Sequence, residues 1–149
     1  MAVTQQTLAN IERYAQVVRE DIEKARGIGF APSDELKEVW ASVKQTTAER
    51  DFESAGQLLG KARALTWVPV TNYVNEEIGK LRARNSETFF PEVEELISTI
   101  ENFLRSKNSY TAWQRLQEAW AIFESATSEQ LARAEQKALE RIAQAFGDI

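Results

Sequence analysis

Residues 50–65, RDFESAGQLLGKARAL, and residues 107–122, KNSYTAWQRLQEAWAI, decide the fold class. Laid over one another at an offset of 57, Ala55 meets Ala112, Leu59 meets Leu116, Ala62 meets Ala119 and Leu65 meets Ile122. Small and apolar residues three and four apart form the stripe by which a helix faces a core. Asp51 falls on Asn108 ahead of the two stripes, and both residue types cap helix starts. Upstream the echo continues, with Leu36, Val39, Trp40 and Val43 aligned to Val93, Leu96, Ile97 and Ile100.

Working outward, helical spacing covers almost the whole chain. A first helix is predicted over residues 4–26, with Leu8, Ile11, Ala15, Val18 and Ile22 on one face. Gly27 and Gly29 end it in the loop GIGFAP, whose Ile28 and Phe30 are read as plugs for the end of a bundle. Ser33 caps a second helix and Asp51 a third. Proline tolerates the first turn of a helix, so Pro69 or Thr71 is taken to start a fourth that reaches about residue 84. Pro91 opens a fifth, Ser109 caps a sixth, and Thr127 with Gln130 forms the capping box of a seventh. No stretch alternates with period two, so the fold is all-α. The expected organisation is a single domain over 1–149, either a bundle or a short stack. Its parts are the helix 4–26 followed by two related three-helix units, 34–84 and 91–146.

Length and composition suit a soluble globular domain: 149 residues bury about 70% of the unfolded chain's surface. The net charge is −5, with nine basic and ten acidic residues in positions 1–75 and nine and 13 in 76–149. Neither half is a basic footprint, so nucleic acid is an unfavoured partner. The chain has no cysteine and no histidine, which excludes disulfides, thiol nucleophiles, Cys/His zinc sites and serine triads. No stretch is apolar enough to span a bilayer and the start lacks signal-peptide character, so a cytoplasmic location away from membranes is expected. The adjacent carboxylates Glu76–Glu77 and Glu94–Glu95 diverge by about 100° on a helix and do not converge on one atom. No Gly-Lys-Ser/Thr ending follows the glycine loop. An enzyme and a bound cofactor are therefore not expected.

RDFESAGQLLGKA resembles the helix pair of tetratricopeptide repeats: Asp51, Phe52 and Ala55, then Leu59 and Ala62, match that family's second-helix pattern. Asn108, Ala112, Leu116 and Ala119 repeat it, with the aromatic Tyr110 displaced by one residue. The offset of 57 exceeds the family's period of about 34 residues. The resemblance implies a groove lined by the first helix of each pair, walled by Lys37, Trp40, Lys44 and Thr47, then by Glu94, Ile97, Glu101 and Leu104.

Lys37 and Lys44 are seven apart on one helical face with Trp40 between them, a pattern suited to an acidic peptide or a terminal carboxylate. Trp40 also continues the apolar stripe of its helix, and core is the favoured reading for it. Tyr110, Trp113 and Gln117 mark the margin of the other stripe, a place for partner contacts and equally typical of a helix packed on two sides. The favoured function is a non-enzymatic interaction module, an adaptor, complex subunit or small inhibitor, docking another protein on these two surfaces. The alternatives are a bundle whose tryptophans line an apolar ligand cavity, and a nucleoprotein subunit using Lys80, Arg82 and Arg84. Gly56 and Gly60 imply a close neighbour against the third helix, with Trp40 or Trp67 as candidates.

Overall fold

The computed structural model describes residues 4–147. It is all-α: α1 (Gln5–Gly27), α2 (Asp34–Ala48), α3 (Phe52–Thr88), α4 (Pro91–Arg105), α5 (Ser109–Ser125) and α6 (Ser128–Phe146). Most boundaries follow from capping chemistry. Ser33 accepts from the Leu36 amide at 3.1 Å, Asp51 from Ser54 at 3.2 Å, and Thr127 with Gln130 closes both halves of its capping box. Asn108, not Ser109, caps α5 through the Thr111 amide at 3.3 Å; Ser109 is buried in the first turn.

The third and fourth expected helices are one. Pro69 lies inside α3 rather than at a helix start, so the described residues form six helices. Proline removes one backbone donor and crowds the preceding turn, a cost of about 3 kcal/mol when nothing offsets it. Here Pro69 is exposed, while the buried residues Ala62, Thr66, Val70, Val74, Ile78 and Leu81 continue at spacings of four and three beneath it. Burial of that unbroken stripe holds the helix together across the proline.

The chain forms two compact units, Met1–Thr71 and Asn72–Ile149, and their boundary falls within α3. In unit 1, α1, α2 and the first half of α3 share a core of Val18, Leu36, Val39, Val43, Leu59 and Ala62. The first helix is therefore a full member of that unit. Residues 28–33 turn the chain back, with Gly29 at φ +99° and the Phe30 amide bonded to the Ala25 carbonyl at 2.8 Å. Phe30 lines a cavity of about 10 Å³ with Ile22, Ala25, Leu36, Leu65 and Pro69, at the end of the unit as a plug. Gly56 and Gly60 admit α1: a Cβ on Gly60 would lie 3.3 Å from the Tyr14 hydroxyl, and one on Gly56 3.9 Å from Ile11. The close neighbours are thus Ile11 and Tyr14, not a tryptophan. Buried Asp21 accepts from Arg63 Nε at 2.8 Å, which ties α1 to α3 and compensates the carboxylate.

In unit 2, the second half of α3 and α4 meet at a turn organised by Asn85. Its amide donates to the Phe90 carbonyl at 3.0 Å and to Glu94 at 3.1 Å, while its oxygen accepts from Phe90 N at 2.9 Å and Thr88 Oγ1 at 2.9 Å. Phe90 packs on Phe123 of α5 at 6.0 Å, under the Arg84 guanidinium at 5.7 Å from the Phe123 ring. Helix α6 buries only Ala134 and Ala138 and leaves Leu139, Ile142 and Phe146 exposed.

The offset of 57 carries over to backbone geometry. Helices α2 and α4 each have 15 residues and start 57 apart, as do the starts of α3 and α5. Arg50 (φ 64°) and Lys107 (φ 59°) take the same left-handed conformation at the turns between them. Asp51 N bonds Thr46 O at 2.9 Å, and Asn108 N bonds Phe103 O at 2.8 Å.

Candidate docking groove

The face of α2 turned toward α1 carries Lys37, Trp40 and Lys44, which the structure brings together as one wall of a groove of about 600 Å³. The opposite wall is α1, through Arg19, Ile22, Glu23 and Arg26, and Pro32 and Leu36 close one end. The short connection makes the helices antiparallel. Arg19 and Arg26 are seven apart on α1, as Lys37 and Lys44 are on α2. Each pair spans about 10.5 Å along its axis. Four cations therefore stand at the corners of an apolar strip made by Ile22, Leu36, Trp40 and Ala41.

Trp40 serves both readings offered by its position. It is half-buried against the core cluster of unit 1, and its remaining surface lines the groove. Lys37 and Lys44 are exposed, and neither they nor Arg19 form an ion pair among the described residues. Arg26 meets Glu23 at 3.6 Å with both side chains more than half exposed, a pair worth well under about 1 kcal/mol and easily exchanged. The groove is thus a cationic rim around an apolar floor, with one carboxylate inside it. That arrangement is complementary to a ligand that is anionic at its edges and apolar between them.

Tyr110, Trp113 and Gln117 share one side of α5 at spacings of three and four. Tyr110 and Trp113 are half-buried and Gln117 is exposed, and none of them lines the groove. Trp40 lines the groove of unit 1, and Trp120 of unit 2 packs on Phe123 at 5.8 Å. The basic residues at the end of the fourth expected helix each stand beside a carboxylate. Lys80 meets Glu77 at 3.5 Å, Arg82 meets Glu101 at 2.6 Å, and Arg84 meets Glu87 at 3.6 Å.

The sequence alone does not single out Arg19 and Arg26, because they reach the groove only through the turn at 28–33. Their own spacing of seven was the available signal. Among the described residues no group of three acidic side chains gathers as a metal site, and no helix is long and apolar enough to cross a membrane. No family model, curated protein or solved structure matches the chain.

Proposed function

We propose that the protein is a non-enzymatic interaction module that docks another protein in the α1–α2 groove of unit 1. The observation that carries this reading is the ring of Arg19, Arg26, Lys37 and Lys44 around the half-exposed Trp40. Three of the four cations lack an ion pair among the described residues, while the basic residues Lys80, Arg82 and Arg84 of α3 each have one. Exposed ion pairs contribute about 0.2–1 kcal/mol each, so the rim supplies selectivity and association rate. A tryptophan buried at the centre of an interface contributes about 2 kcal/mol or more, so Trp40 supplies the affinity.

The reading is tested by affinity capture from the native source with wild type beside the Lys37→Glu/Lys44→Glu and Trp40→Ala variants, with circular dichroism confirming their folding. A protein retained by wild type in proportion to bait, released by salt and lost from both variants supports the groove. Equal capture by all three overturns it and moves attention to Tyr110, Trp113 and Gln117.

A further inference from the structure

The spacing of the rim restricts what shape of ligand can use it. Cations seven residues apart on two antiparallel helices present charge every 10.5 Å or so along both edges of the strip. An extended peptide repeats side chains on one face about every 6.6 Å and sends the alternate ones to the opposite face. It therefore reaches either the floor or the two edges of the rim, not floor and edges together. A helix lying along the groove repeats with the groove itself. Residues at every third and fourth position enter the floor, and residues seven apart flank it on either side.

Unit 2 supplies the complementary case. At the positions 57 residues after Lys37 and Lys44, α4 carries Glu94 and Glu101. These acids are answered by helix-borne groups: Arg82 of α3 on Glu101 at 2.6 Å and Asn85 on Glu94 at 3.1 Å, with Arg141 of α6 lining the same groove as Glu94 and Glu95. A wall of one charge is met there by helices carrying its complement. The equivalent wall of unit 1 has the opposite charge, and its lysines are unanswered among the described residues.

We infer that the segment accepted by the α1–α2 groove is an amphipathic helix of a partner protein, with acidic residues seven positions apart along both edges of its apolar stripe. This rests on the groove being the docking site. The helix would complete a four-helix arrangement in unit 1, setting its apolar stripe on Ile22 and Trp40 and its carboxylates against Arg19 and Arg26 along one edge and Lys37 and Lys44 along the other.

The test uses the full chain and three synthetic peptides of about 20 residues, long enough to form helix on a template. One has a leucine stripe flanked by glutamates seven apart; one has the same composition interrupted by two central prolines; one has lysine in place of glutamate. Binding is measured calorimetrically to wild type and to Lys37→Glu/Lys44→Glu at two salt concentrations. The acidic helix is expected to bind wild type at least about tenfold more tightly than the variant and to weaken with salt. The variant is expected to gain affinity for the lysine peptide, which a misfolded protein would not. Equal binding of the proline-interrupted peptide, with the same dependence on the lysines, overturns the helix and leaves the groove standing. Failure of all three peptides, with native capture still lysine-dependent, does the same; failure together with lysine-independent capture overturns both readings.

Discussion

Lys37, Trp40 and Lys44 in unit 1 occupy the places that Glu94, Ile97 and Glu101 occupy in unit 2, 57 residues later. The helices that carry them match in length, and the turns that follow match in conformation. The surfaces do not match. In unit 2 the acids are engaged by Arg82 and Asn85, and Ile97 is buried. In unit 1 the lysines form no ion pair among the described residues and the tryptophan is half-open. One backbone plan thus carries a wall whose charges are engaged within the unit and a wall whose charges, among the described residues, are not. The charges differ at solvent-facing positions that cost the fold little, while Trp40 and Ile97 also pack on the cores of their units.

The likeness of the cores is tested first. Leu59 and Leu116 are both fully buried at matched positions. Leu59→Ala and Leu116→Ala should each cost about 3 kcal/mol in urea unfolding. A cost below about 1 kcal/mol at either site would break the correspondence. The turns should then part company. Asn85→Ala orphans the Phe90 amide and leaves the Phe90 carbonyl with only the Val93 amide at 3.2 Å, for about 2–3 kcal/mol. In unit 1 the same job falls to backbone freedom, and Gly29→Ala at φ +99° should cost about 1–2 kcal/mol. If the Asn85 variant proves the milder of the two, the side-chain account of the second turn fails.

Smaller effects sharpen the comparison further. A Cβ at Gly79 meets nothing within 4 Å, so Gly79→Ala should stabilise by about 0.5–1 kcal/mol through helix propensity. Gly60→Ala, tight against Tyr14, should return less than that or change sign; equal gains would deny the close approach of α1. Smallest of all, Lys37→Glu/Lys44→Glu should shift stability by no more than about 0.5 kcal/mol, because both residues are exposed. A larger loss would make the lysines part of the fold and spoil them as probes of binding.

These contrasts also explain what could be read in advance. Helix starts were legible where a cap announced them, as at Ser33, Asp51 and Thr127. The lysines and Trp40 were legible because a spacing of seven keeps them on one face of one helix. The continuity of α3 was hidden because proline and threonine near residue 70 imitate a helix start. The stripe from Ala62 through Thr66 and Val70 to Val74 carried the contrary signal, and burial outweighed local preference. Arg19 and Arg26 were hidden for another reason: their role exists only once a turn has folded one helix back on another.

Pro69 has a consequence for how α3 comes into being. Helix growth adds one hydrogen bond for each residue ordered, and Pro69 cannot supply the bond that Leu65's carbonyl would receive. Propagation from either end therefore loses its reward at that point, so each half of α3 must be nucleated where it is buried. For the first half that means docking on α1 and α2, and for the second, the turn into α4. Both nuclei depend on short loop closures, the cheapest and fastest contacts a chain can make.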